Sequence, residues 1–305
     1  MAEVPIEPPG HGGARAVQGA VLILTAGACW SLAGLFVRAM EAAEAWQILV
    51  YRSAATLVFV AIALAFRNGG SPWPAVRALG WKGPLAGALL AYAMLSFIVA
   101  LTLTTVFNAV MTISISPLLA AALGRLVLGE AVRRITLVAM LLALTGVAIM
   151  VRGSIVVGDL AGTLLCLTAA AAFAVFTVTL RAAKVRDTLP AVGWAGLFGL
   201  IAALTVVLGE GRSPLVSLHD MALAAAMGSV QIGLGMLLFT AGAKRVTAAE
   251  ATLLALSEVV LAPIWVWIGY GEVPDATTFF GGSILLGAMV LQAASGLRRR
   301  PAVAL

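Results

Sequence analysis

Two ionisable side chains stand where water is scarce. Glu258 lies near the middle of an apolar run over residues 247–269, and Arg52 lies seven residues inside another over 45–66. A charge at the centre of a bilayer costs at least about 2.5–3.5 kcal/mol unless it is paired, protonated or hydrated. A carboxylate at that depth could bind a substrate amine, take up a proton during a transport cycle, or close a structural pair between helices. Arg52, roughly 10 Å deep at a helical rise per residue, could snorkel to the nearer surface or reach toward Glu258.

Neutral polar residues in the same runs carry weaker chemistry. Trp30 and Tyr92 are aromatic with a polar handle, suited to walling a cavity for planar or apolar solutes or to packing between helices. Gln231 and Asn108 could contact a solute or bridge helices. Thr112, Ser114 and Ser116 could line a pore or bond their own helix backbone. Pro117 and Pro263 are candidate kink or gating points, with any kink in the run 247–269 expected at Pro263. Gly83 and Gly87, like Gly193, Gly196 and Gly199, mark close helix packing. Glu130 and Glu272 end two runs and suit loop anchoring, Glu130 through Arg133 or Arg134.

Enzymatic machinery is hard to assemble from what is present. His11 and His219 lie in polar segments, and Cys29 and Cys166 in apolar ones. There is no P-loop, no HExxH pair and no GxSxG elbow. No catalytic residue, disulfide framework, metal site or cofactor is expected.

The elements that must position these residues follow from composition. Of 305 residues, 62% are hydrophobic and 10% charged, against about 25% charged in soluble domains, so most of the surface cannot face water. Runs long enough to cross a bilayer, about 20 residues each, fall at 17–37, 45–66, 84–103, 106–124, 135–151, 159–180, 189–208, 221–242, 247–269 and 277–296. The first is too long for a signal peptide's apolar region and has no small-residue cleavage site before Arg38. Residues 84–124 carry no charge, so a tight turn near Leu101–Phe107 must separate two spans, in the cluster Thr102, Thr104, Thr105 and Asn108.

Placing the N-terminus in the cytoplasm puts fifteen of nineteen basic residues in inner segments and Arg38, Arg152 and Arg212 outside, with Arg52 within a span. That bias follows the positive-inside rule and leaves both termini cytoplasmic. Trp46, Trp73, Trp81, Trp194, Trp265 and Trp267 fall at or near expected interfaces, where an aromatic belt forms.

The chain repeats itself. Gly19, Leu24, Thr25, Ala26, Ala28, Arg38 and Ala39 match Gly162, Leu167, Thr168, Ala169, Ala171, Arg181 and Ala182 at an offset of 143. Met94, Leu95, Phe97, Thr105, Ala109, Gly129 and Glu130 match Met236, Leu237, Phe239, Thr247, Ala251, Gly271 and Glu272 at 142. Five spans per half invert the second copy relative to the first, an arrangement suited to alternating access. The expected fold is therefore an all-α integral membrane protein of ten transmembrane helices, in two inverted five-helix repeats around a central cavity. Residues 1–16 form an N-terminal tail, 17–151 the first repeat, 159–296 the second and 297–305 a basic tail.

Residues 109–117 (AVMTISISP) with Leu128, Gly129 and Glu130, and the second copy 251–258 (ATLLALSE) with Gly269, Tyr270, Gly271 and Glu272, resemble the EamA-type branch of the drug/metabolite transporter superfamily. The resemblance covers roughly residues 17–296. It departs where Val259 follows Glu258 in place of the frequent proline, and at Tyr270. It implies a basket-like bundle in a bacterial-type inner membrane that exports metabolites, amino acids or drugs. Without a nucleotide-binding motif, energy would come from the substrate's own gradient or from an ion gradient, with protons a candidate through Glu258. The partners expected are the lipid bilayer and a small-molecule substrate, with no nucleic acid. Two rival classes are a non-transporting membrane scaffold and a membrane-embedded lipid-modifying enzyme. The latter would need clustered acids or histidines at one face, and the charges here are scattered.

Overall fold

The computed structural model describes residues 11–129, 134–157, 159–183, 187–246, 251 and 254–297, and these contain helices and no strand. The first apolar run forms α1 (His11–Ser31) and α2 (Ala33–Ala39), with a turn at Leu32 between them. α3 (Ala45–Arg67), a short α4 (Trp73–Ala78) and α5 (Lys82–Leu103) follow. The expected turn after α5 is present: Thr105 caps α6 (Val106–Ile113) by accepting the Asn108 amide on its hydroxyl, a bond that satisfies one of the orphan donors of a helix start. α7 (Ser116–Leu128), α8 (Arg134–Val157), α9 (Leu160–Ala182) and α10 (Leu189–Gly209) complete the first ten. Beyond them lie α11 (Leu218–Ala226), a π-helical segment (Met227–Leu234), α12 (Gly235–Ala243), α13 (Ser257–Tyr270) and α14 (Ala276–Leu297).

Seven helices among the described residues are long and apolar enough to cross a membrane: Arg15–Ala39, Ala45–Arg67, Lys82–Leu103, Val106–Leu128, Leu160–Ala182, Leu189–Gly209 and Leu218–Ala243. Three shorter apolar helices, Leu137–Gly153, Ser257–Tyr270 and Ala276–Leu291, stand at the other runs read from the sequence. Residues 247–250 and 252–253, the start of the expected ninth span, lie outside the described residues.

Glycine sets how closely these helices approach. A Cβ on Gly196 would come within 2.9 Å of the Leu57 amide nitrogen and 3.1 Å of the Ser53 carbonyl oxygen, so α10 rests on the backbone of α3. Gly83 and Gly87 of α5 receive Trp194, whose backbone carbon lies 3.0 Å from where a Gly87 Cβ would stand. Trp194 packs between helices with its indole nitrogen buried. The Trp265 indole likewise turns to a neighbouring helix, donating to Ser31 Oγ at 2.9 Å. Trp73, Trp81 and Trp267 are exposed, at 62%, 72% and 60%.

Overpacking at a backbone contact costs about 1–3 kcal/mol. Gly196→Val is expected to lower the thermal unfolding midpoint in detergent clearly. Gly209→Val, where a Cβ meets nothing within 4 Å, should leave the midpoint unchanged.

Asp275 caps α14. Its carboxylate accepts the Thr277 and Thr278 amides at 2.9 and 3.0 Å and both hydroxyls as well. Burial pushes this carboxyl up, but the hydrogen bonds from Thr277 and Thr278 outweigh it and hold it below the ordinary 3.8. A depressed folded-state value stabilises the fold above the unfolded value, and the contribution disappears as pH falls through the folded one. Thermal midpoints taken from neutral to acidic pH should therefore fall more steeply for the parent than for Asp275→Asn, which starts lower at neutrality.

Candidate functional site

The small-residue face of α10 leaves a cavity against α3 and α5. It is lined by Arg52, Ser53 and Thr56 of α3, by Met94 and Leu95 of α5, and by Gly196 and Gly199 of α10. Arg52 is 3% exposed. Its Nε has no hydrogen-bond partner, and its guanidinium makes no ion pair among the described residues. Leaving a buried charge without compensation costs about 3–5 kcal/mol. Snorkelling is not observed, and no ion pair joins Arg52 to Glu258. The backbone around Arg52 is held tightly: Thr56 Oγ1 donates to the Arg52 carbonyl at 2.9 Å and contacts the Gly228 carbonyl at 3.2 Å. A Cβ on Gly228 would lie 2.7 Å from Ala55 Cβ, so the π segment needs glycine there to lie on α3.

Glu258 sits in the first turn of α13, half-buried and without a hydrogen bond or ion pair among the described residues. Its helix is interrupted just before it, at Leu256. The amide end of α13 favours a carboxylate there. The interruption falls at Leu256, and Pro263, the expected kink point, lies inside α13. A proline within a helix removes one backbone bond, whereas the turn at Leu256 resets the helix. The fourth run is likewise broken at Ser114 and Ile115, directly before Ser116 and Pro117 in the first turn of α7. Pro117 fits there because the first turn needs no internal N–H donors. Ser114 bonds back to the Val110 carbonyl at 2.6 Å, and Ser116 is buried at the start of α7.

The other sequence candidates are dispersed. Trp30 packs its ring on Phe239, with centroids 5.3 Å apart, and against Gly235. Gln231, in the π segment, donates from Nε2 to the Trp30 carbonyl at 3.3 Å, joining that segment to α1. Tyr92 is 47% exposed, and its hydroxyl donates to Thr168 Oγ1 on α9 at 3.1 Å. None of these three lines the Arg52 cavity. Asn108 is fully buried and bridges α6 to α9: its Nδ2 donates to Thr104 Oγ1 at 2.8 Å and to Thr163 Oγ1.

Asn108 belongs to a polar network that the sequence did not single out. Arg38 donates to Glu272 Oε2 at 2.8 Å, to the Leu101 carbonyl at 2.9 Å and to the Thr104 carbonyl at 3.1 Å. Glu272 also accepts the Val106 amide, and Thr104 donates to Asp159 at the start of α9. Glu272 therefore anchors the α5–α6 turn through Arg38. Glu130 and Arg133 lie outside the described residues. Nearby, Asp220 is fully buried and accepts the amides of Glu41, Ala42 and Ala43 at 2.9, 3.1 and 2.9 Å. The matches of Arg38 with Arg181 and of Glu272 with Glu130 were the available signal for the first pair. Among the described residues no three His, Cys, Asp or Glu side chains gather to share a metal ion.

The chain matches the EamA-like transporter family over residues 17–152 and again over 160–293, and it belongs to that family, whose members are membrane transporters of the drug/metabolite type. Fourteen chains of known structure are similar. One, a crystal structure titled only as that of a protein, aligns with a TM-score of 0.62 at 20% identity, covering 93% of this chain and 99% of its own. That likeness concerns the fold. No curated protein matches the sequence.

Proposed function

We propose that the protein is a secondary transporter that exports small metabolites, such as amino acids or amphipathic drugs, by alternating access across a bacterial-type inner membrane. One observation carries this reading. The runs at 106–128 and 254–270 are interrupted at Ser114 and Leu256, positions separated by the repeat offset of 142. Discontinuous helices at equivalent places in two halves are the usual setting of a solute site in inverted-repeat transporters.

Packing supports it. Numbered along the chain, the apolar helices pair second with seventh (α3 on α10), fifth with tenth (α8 on α14) and fourth with ninth (α6 on α13). The third packs on the sixth (α5 on α9), and the first on the eighth (α1 on α12). Exchanging every helix for the one five places away leaves this pattern unchanged, as two related five-helix halves require. In this reading the network around Arg38 and Glu272 closes the outer end.

The test is flux in proteoliposomes holding the full chain. The panel is a neutral, an acidic and a basic amino acid and a cationic amphipathic dye, with and without an imposed pH gradient. Saturable flux of at least one solute above protein-free vesicles is expected; none above that level would contradict the reading. Flux indifferent to the gradient, together with an active Glu258→Gln, would remove proton coupling through Glu258.

A further inference from the structure

We infer that the Arg52 cavity is the seat for the anionic head of the cargo, and that the transported molecule carries a carboxylate on a slender apolar body. The inference rests on the transport reading above. Two donors converge there without partners. The Arg52 guanidinium is buried with a bare Nε, and the neighbouring Ser53 hydroxyl, also buried, is bonded to nothing among the described residues. The Thr56 hydroxyl is already spent on main-chain carbonyls. No acidic side chain lines the cavity, and its remaining walls are apolar or glycine. A guanidinium and a hydroxyl lining one space, with no acidic side chain beside them among the described residues, fit a planar carboxylate held bidentately. Met94 and Leu95 offer an apolar surface to whatever the carboxylate is attached to.

The space between these groups holds about one water molecule. The carboxylate displaces that volume, and the body of the cargo enters as α5 and α10 part. At Gly196 and Gly199 the α10 main chain lies directly on Leu57 and Ser53, so backbone and not a side chain closes that wall of the cavity.

The test uses the purified full chain in detergent, with binding followed by isothermal calorimetry. The probes are butyrate, hexanoate and octanoate, their primary amides, and sodium chloride at matched ionic strength. At least one carboxylate should bind at least about tenfold more tightly than its amide, the scale of a charge-assisted hydrogen bond. Arg52→Met should erase that preference, and Arg52→Lys should keep part of it, since an ammonium retains charge without the bidentate fork. Circular dichroism and size-exclusion profiles establish that each variant is folded.

Equal affinity for acid and amide, a preference surviving in folded Arg52→Met, or no binding by any carboxylate would overturn the inference. Chloride binding with the same Arg52 dependence would assign the site to an inorganic anion and overturn it also. Flux of neutral or cationic solutes without carboxylates would leave the transport reading standing and sink this one. Carboxylate binding that depends on Arg52, with no flux of any solute, would do the reverse.

Discussion

Asp220→Ala is expected to be the most damaging single substitution where α11 meets the segment between α2 and α3, lowering stability on the order of 3–5 kcal/mol. The side chain is fully buried and gathers three consecutive amides, those of Glu41, Ala42 and Ala43, onto one carboxylate. Hydrogen bonds to a charged acceptor contribute about 1.5–3 kcal/mol each and do not add fully. Ser217 positions the group by accepting the Asp220 amide at 3.0 Å. Alanine removes every acceptor at once and frees the segment between α2 and α3. Asp220→Asn keeps the shape but turns an NH₂ toward amide donors, so it should recover less than half the loss. Thermal unfolding in detergent measures both variants; an alanine variant as stable as its parent would contradict the assignment.

A second large effect is expected at Arg38 and Glu272. Both are partly buried, at 27% and 18% side-chain exposure, and each also bonds backbone across the α5–α6 turn. Arg38→Gln and Glu272→Gln should each cost about 2 kcal/mol, between the values for exposed and buried pairs. The double variant should cost little more than either single one, giving a coupling of about 1.5–2 kcal/mol. Exchanging the two residues should rescue only in part, because a carboxylate at position 38 cannot donate to the Leu101 and Thr104 carbonyls. Strict additivity in a double-mutant cycle of thermal midpoints would mean the two side chains are not coupled. In the transport reading, the same variants speed opening of the outer end.

Much of the architecture was legible because a bilayer demands apolar length. The run at 189–208 is observed as Leu189–Gly209, and that at 45–66 as Ala45–Arg67. The turn between α5 and α6 was legible because forty-one uncharged residues cannot be one span and Thr105 is a good cap. Helix interruption was legible only in part. Proline in the sequence pointed to Pro117 and Pro263; the break in the fourth run falls just before Pro117, whereas the one at Leu256 has no proline beside it. The π segment Met227–Leu234 is equally silent in an apolar pattern.

The site divided along similar lines. Arg52 and Glu258 stand out in a sequence because charge in an apolar run is costly, and neither makes an ion pair among the described residues. That they do not pair with each other is a matter of three-dimensional placement, which depth along each span could not resolve. Trp30, Tyr92 and Gln231 carry polar atoms in apolar runs, which left cavity wall and helix bridge both open. Each touches a neighbouring helix, and Gln231 keeps a buried Oε1 without a hydrogen-bond partner among the described residues. Asp220 escaped notice, and Arg38 was read only as an outer basic residue and a repeat match, because interfacial charges are commonplace until their partners are known.

Counterflow tests the central claim most directly. Proteoliposomes holding the full chain are loaded with an excess of an unlabelled solute that shows saturable flux, then diluted into a trace of the same solute bearing a radiolabel. Alternating access through two related halves predicts a transient accumulation of label inside loaded vesicles well above that in unloaded ones, because each outward step returns a site that can carry label inward. Label that only equilibrates, at a rate linear in concentration and indifferent to loading, would contradict the account.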